Sequence, residues 1–328
     1  MPGSSRLRSA TALMIASMML LASCDLWGPK KGFERPNGVA LASDGTLYVM
    51  DFGNYRIVHV DQKGNLLESF GQFGPKEDQV FYGWDLAMDS QGNLYFGNVI
   101  RDNEGTRHDG VKVFSSQGKF IKEIGAADYD TESQSSPHQP YGVNVDQAGH
   151  IYTADYGTKG VRIFSPEGKL LATINGSGQE DFKFTNPGDV ATDDRRGLMY
   201  ITDFTMGNLL QFELTWENDL SPRIRYLRML ATYGREDGQL AFPQNLAVDV
   251  ETGTVFVGDM ANRRVQAFSP EGEFLGKYSP TGIDDWQVLG VAAGQNGQLV
   301  ACDALNNMLW VFSAQQGSAP IQQIGGKP

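Results

Sequence analysis

Cysteine is nearly absent: Cys24 and Cys302 are the only two in 328 residues. That excludes a disulfide framework and any CxxC pair. Histidine is scarce as well, at 4 residues, which leaves little material for a His-rich metal centre. Acids outnumber bases, 39 to 27, for a formal charge of -12. Such a surface repels phosphate backbones and argues against general nucleic-acid binding. The apolar run at 10–21 is too short for a comfortable membrane span, which takes about 20 residues. Beyond it no stretch shows helical periodicity. There is no Ser nucleophile elbow and no Gly-rich phosphate loop.

What is present begins at the N-terminus. Arg6 and Arg8 precede the apolar run, and residues 1–23 contain no acid. That is the layout of a secretory signal. It ends Leu21-Ala22-Ser23-Cys24, which resembles a bacterial lipobox. The resemblance implies cleavage before Cys24 and lipid attachment to its thiol and new amino group. Acyl chains contribute about 0.8 kcal/mol per buried methylene and anchor a protein firmly. The expected organisation is a signal at 1–23, a short tether at 24–33 and one folded domain at 34–328. The expected location is the bacterial cell envelope, lipid-anchored, facing periplasm or exterior. Asp25 resembles an enterobacterial inner-membrane retention signal, but the rule differs between lineages, so the membrane stays open. With Cys24 acylated, Cys302 has no partner. Its setting, LVACDA, suits a small buried strand residue, and no His or cation lies near in sequence to activate a thiol.

The phrase GTLYVMDFGNYRIVHV at Gly45 returns in altered form five times. Aligned on the last residue of its first strand, the copies fall at Asp51, Asn98, Asp155, Asp203, Asp259 and Asp303, at spacings of 47, 57, 48, 56 and 44 residues. This period belongs to propellers and solenoids. Each copy reads as four short strands, a to d. In the first copy they are VALA, TLYVM, RIVHV and LLESF, joined by Gly-containing turns. One four-stranded sheet cannot cover both its faces. Six arranged radially can, whereas an open solenoid would leave bare edges. The expected fold is all-β, a six-bladed β-propeller of four-stranded antiparallel blades. Whether the termini exchange a strand to close the ring is not legible.

The pattern Pro-x-Gly-Val-Ala, then Gly-x-apolar-Tyr-apolar-x-Asp-x-x-Asn-x-Arg, resembles the NHL repeat. Pro36, Gly38, Asp51, Asn54 and Arg56 carry it in the first copy, and Pro243, Asp259, Asn262 and Arg264 in the fifth. Copies two, four and six depart from it. Asn98 stands for the Asp, Asn208 is displaced, and the sixth copy lacks the opening Pro.

Connectivity assigns faces. The d-to-a connections and b-to-c loops share one end of the blades, and the a-to-b and c-to-d turns the other. Long excursions at 99–110 and 125–139 build up the first face, while 215–223 is a c-to-d connection on the second. The repeated Asp51, Asn98, Asp155, Asp203, Asp259 and Asp303 read as structural turn caps accepting backbone N–H bonds. Non-repeating polar residues just before strand a are better site candidates. Asn37, Asp85, Asp189 and Asn245 are expected to converge at the channel mouth on the first face, with Trp84 and Tyr141 as a stacking wall beside them. Oxygen donors of this kind suit Ca²⁺ or another hard cation.

NHL-like propellers include amidating lyases, which hold zinc with three His. Here His59 falls in strand c, His150 lies in an a-to-b turn, and only His108 and His138 reach the first face. The set does not make that site. Likeness to lactonase-type propellers is of fold, with Asp85, Asp189 and Asn245 a loose analogue of their calcium ligands. The expected function is a membrane-tethered, non-enzymatic scaffold. It would bind an envelope protein, peptide or glycan. The alternative is a calcium-dependent hydrolase or lyase at the channel mouth. Partner identity and oligomeric state are not legible.

Overall fold

The computed structural model describes residues 32–101, 107–124, 139–176, 181–294, 297–313 and 319–325. The signal, Cys24 and the tether up to residue 31 lie outside the described residues. So do 102–106 and 125–138, including His138, and of His108 only the backbone is described.

Six sheets form, each of four antiparallel strands consecutive in the chain. The first blade is Pro36–Leu41, Leu47–Asp51, Arg56–Val60 and Leu66–Phe70. Burial follows position in the blade. All five residues of the b strands Leu47–Asp51 and Ile151–Asp155 are buried, because a blade packs between two neighbours. The outermost strands Phe120–Ile124 and Phe274–Tyr278 alternate exposed and covered residues, as a sheet edge with one wet face does.

The ring closes without strand exchange. Val39, Val49 and Val58 of the first blade share a core with Val300, Cys302 and Leu309 of the sixth. Each Val so buried contributes about 1.5–3 kcal/mol relative to exposure. Arg35 donates its N–H to Asn307 Oδ1 at 2.8 Å across this seam, and Gln322 Nε2 donates to the Gln62 carbonyl at 3.0 Å. Cys302 is fully buried, and that burial pushes its thiol well up.

Two excursions differ from expectation. In the second blade, strands Leu94–Arg101 and Arg107–Phe114 keep pairing beyond the blade, with Val99 opposite Asp109 and Arg101 opposite Arg107. In the fourth, Asn208–Trp216 and Pro222–Ala231 pair out to Trp216 opposite Pro222. Projecting backbone needs hydrogen-bond partners, and continuing the ladder supplies them. The fourth-blade hairpin reaches over its neighbour. Trp216 stacks on His150 at 3.8 Å between centroids, and His150 Nε2 lies 2.8 Å from the Asp219 carbonyl.

Candidate functional site

The five repeated Asp residues each end strand b, and Asn98 lies within the longer Leu94–Arg101; all six are fully buried. In each blade the side chain reaches back to the backbone just before strand a. Asp51 Oδ1 accepts the Glu34 N–H at 2.6 Å, Asn98 Oδ1 that of Phe81 at 3.0 Å, and Asp155 Oδ1 that of Gln139 at 3.2 Å. Asp203 accepts from Thr185 at 2.6 Å, Asp259 from Ala241 at 2.7 Å and Asp303 from Gln287 at 3.2 Å. The other oxygen takes the turn: Asn54 Nδ2 and Arg56 Nε each donate to Asp51 Oδ2 at 2.8 Å, and Asn262 and Arg264 do the same at Asp259. Burial pushes Asp51 and Asp259 up, and the backbone, Asn and Arg donors pull them back.

Of a second set of polar side chains, Asp85, Asp189 and Asn245 meet on the ring axis, whereas Asn37, one register position earlier in its strand, is not among the residues lining their cavity. Asn37, Asp85, Asp189 and Asn245 come from strands Pro36–Leu41, Tyr82–Met88, Pro187–Asp193 and Pro243–Asp249. Asn245 Nδ2 donates to Asp85 Oδ1 at 2.9 Å, joining blades two and five. The Val143 N–H donates to Asp85 Oδ2 at 3.0 Å, that of Leu246 to Asp189 Oδ2 at 2.8 Å, and that of Val291 to Asn245 Oδ1 at 2.8 Å. Asn37 Nδ2 donates to the Gly83 carbonyl at 3.1 Å. These bonds run between blades, and they satisfy inner-edge amides that have no strand partner. Gly142 makes room, since a β-carbon there would clash with Asp189 Oδ1. Asp85 has φ +52, a left-handed conformation rare for a residue with a side chain.

The carboxyls of Asp85 and Asp189 interact with one another across the blades. Burial raises both, and the Asp85 charge raises Asp189 further. Two carboxylates this close cannot both ionise freely, so the pair retains a proton.

The position of this set corrects the sequence expectation. Asp85, Asp189 and Asn245 line the floor of a cavity of about 1060 Å³ whose walls are the later halves of the a strands and the a-to-b turns. The cavity therefore opens on the face opposite the long b-to-c loops. The reason is that these residues lie inside strand a, not before it. Trp84 and Tyr141 do not line it. They stack on each other at 4.5 Å between centroids, on the b-to-c face. Phe52 extends the stack from Trp84 at 5.1 Å, and Tyr156 from Tyr141 at 5.3 Å. Phe52 and Tyr156 are missing from the sequence reading. Both directly follow a repeated Asp, as Phe204 does, and that shared position was the available signal.

As a metal site the axial set fits in part. Asn37 Oδ1 is buried and has no hydrogen-bond partner, but Asn37 does not line the cavity. Asn245 turns its nitrogen, not its oxygen, toward Asp85. Among the described residues no group of three or more His, Cys, Asp or Glu is placed to hold a metal. His59 stacks on Tyr48 at 4.1 Å, and His150 Nδ1 lies 2.8 Å from Asp146 Oδ2, so both are engaged elsewhere.

Residues 33–60 match the NHL repeat family. That match spans the first three strands of the first blade. The mouse NHL repeat-containing protein 3 is 28% identical over 216 residues, 62% of this chain and 57% of that one. A probable peptidyl-alpha-hydroxyglycine alpha-amidating lyase of Caenorhabditis elegans is 25% identical over 178 residues, 53% of this chain and 47% of that one. The chain thus spans about half the length of these two relatives. The calcium-binding protein regucalcin from Agrobacterium tumefaciens superposes with a TM-score of 0.59 at 11% identity, over 90% of this chain and 93% of that one. At that identity the likeness is one of fold.

Proposed function

We propose that this NHL propeller is a non-enzymatic binding scaffold, tethered to a bacterial envelope membrane through acylated Cys24, that docks a protein, peptide or glycan on its b-to-c face. One observation carries the reading: the continuous stack Phe52–Trp84–Tyr141–Tyr156 across three blades, with Tyr156 40% exposed at its end. Rigid aromatic rings offer large contact area at low entropic cost and dominate binding hot spots. The axial carboxyls, by contrast, are occupied with backbone amides and one another. The test is capture from native envelopes by wild type and by the Trp84→Ala, Tyr156→Ala double variant. The variant is expected to lose the captured partner at an unchanged melting temperature. Retention of the same partner would sink the reading. The anchor is tested separately. Cys24→Ala is expected to leave the membrane fraction, and wild type without metabolic lipid label would exclude acylation.

A second reading rests on Asp85, Asp189 and Asn245 lining one cavity, with Asn245 bonded to Asp85 across the blades. Asp85, Asp189 and Asn245 are the residues that would hold calcium, and a cation there would supply Lewis-acid polarisation of a carbonyl oxygen. Asp85→Asn with Asp189→Asn tests it. A ligand that binds only the native state stabilises it by RT ln(1 + [L]/Kd). Calcium is therefore expected to raise the melting temperature of wild type and not of the double variant. Identical curves in chelator and in calcium remove this reading.

A further inference from the structure

We infer that blades four to six rest their b-to-c face on the lipid bilayer, leaving the aromatic stack of blades one to three for the partner; this rests on the reading of Cys24 as the anchor and adds an orientation to it. The chain enters the first blade on that face. The Arg56 guanidinium donates to the Gly32 carbonyl at 2.8 Å, and the Gly53 N–H donates to the Glu34 carbonyl at 2.7 Å. Arg35 reaches the sixth blade at Asn307, and Phe33 packs on the core that the two blades share. Cys24 stands eight residues before Gly32, a span of at most about 29 Å when fully extended. The strand Pro36–Leu41 alone is about 20 Å long. A tether running along the blade to the opposite face would use most of its length on that detour. The b-to-c face needs none.

Blades four to six carry large apolar side chains there. Met206, Tyr233, Phe242 and Leu305 are 47%, 58%, 37% and 50% exposed. Phe242 lies between Phe204 at 5.2 Å and Tyr233 at 6.4 Å, centroid to centroid. Tyr233 closes on the Met206–Gly207 turn, where a β-carbon on Gly207 would clash with it. From there the surface runs on through hydrogen-bonded neighbours. The Ala261 N–H donates to the Ala241 carbonyl at 3.1 Å, Gln287 Nε2 to Met260 Sδ at 3.7 Å, and the Ala304 N–H to the Gln287 carbonyl at 3.0 Å. Leu305 follows, two residues from the Asn307 that holds Arg35. Exposed apolar surface of this extent marks a protein or a membrane contact. The tether decides between them, because it joins the fold between blades six and one, at the end of this patch. Charge agrees with the choice. The patch carries both signs: Arg263 lies 3.1 Å from Asp285 and Lys277 2.9 Å from Asp237, and Arg235 and Glu236 are exposed beside Tyr233. A zwitterionic headgroup layer offers both signs in return. Tyr suits that depth, with its ring toward hydrocarbon and its hydroxyl in water.

The processed chain is reconstituted in phosphatidylcholine vesicles that contain nitroxide-labelled lipid. A polarity-sensitive fluorophore is attached through Tyr233→Cys or Leu305→Cys on the patch. A third label, through Ser90→Cys, sits in an exposed a-to-b turn of the second blade. Native Cys302 is fully buried and takes no label. Quenching and a blue shift are expected at positions 233 and 305 and not at 90, with no other protein present, and in high salt as well as low. Met206→Cys serves if Tyr233→Cys does not fold. Quenching at 90 in place of 233 and 305, or at none of the three in a chain that carries metabolic lipid label, overturns the orientation and leaves the anchor. Quenching that needs anionic lipid overturns the apolar contact. Shielding of 233 and 305 that appears only on adding an envelope extract assigns the patch to a protein and overturns the bilayer. A chain without lipid label that stays off the vesicles removes the anchor, and the orientation with it.

Discussion

The molecule buries two sets of acids, and they are built on opposite plans. The acids ending each b strand serve one blade. Asp259 ties its own blade's lead-in at Ala241 to its own turn through Asn262 and Arg264. The acids on the axis serve the ring. Asp85 belongs to blade two but accepts from Val143 in blade three and Asn245 in blade five. The first set is matched with cations where the repeat is complete. The second is matched with backbone amides and with a like acid. Repetition marks a requirement that every blade has alone, and departure from repetition marks what only the assembled ring needs.

The sharpest way to break this comparison is Asp259→Ala. It strips a partner from Arg264, whose side chain is 9% exposed. Leaving a buried charge short of its partner costs about 3 kcal/mol, more than a turn cap alone would lose. Asp237 keeps Arg264 from being stranded outright. Urea unfolding should show a lower midpoint at constant m. A loss under about 1 kcal/mol would mean the Arg pair adds nothing to the cap. Asp303→Ala, where no Arg is paired, should cost less, about 1–2 kcal/mol from hydrogen bonds to Gln287, Asn306 and Trp310.

The axial pair responds to pH in the opposite sense from a salt-bridged acid. Asp189 is raised well above the ordinary range by burial and by Asp85. The folded protein therefore keeps a proton that the unfolded chain releases near pH 4. Stability is expected to fall as pH rises from about 4 until the folded pair itself titrates. Asp189→Asn, which keeps the shape without the charge, should flatten that slope in chelator. An unchanged slope would place the proton elsewhere. The smallest effect belongs to an exposed acid. Glu251→Gln breaks a two-pronged bond with Arg195, whose partners are 47% and 52% exposed. It should shift stability by no more than about 0.5 kcal/mol, which sets the scale against which both buried sets are read.

The blades were legible because the phrase at Asp51 recurs with its turn and its strands, and a period of that length has few solutions. The meeting of Asp85, Asp189 and Asn245 was legible too, since all three follow the start of strand a at equivalent positions. The side from which their cavity is reached was not. That depends on how far into strand a the pairing begins, which one residue of register decides. The proton between Asp85 and Asp189 depends on separation across blades, and spacing along the chain carries no such information. The hairpin extensions at Arg101 and Trp216 were hidden because polar loop residues and paired edge residues have similar composition.

The seam between the first and last blades has a consequence for the order of synthesis. Every blade takes its strands from one unbroken stretch, so each can form its sheet as soon as it emerges. The flank of the first blade that carries Val39, Val49 and Val58 must nevertheless wait for Val300 and Leu309. A greasy surface made early stays unmatched until almost the whole chain exists. A ribosome that stalls late leaves an open crescent with one sticky end at each tip, and two such crescents can find each other before either finds its own tail.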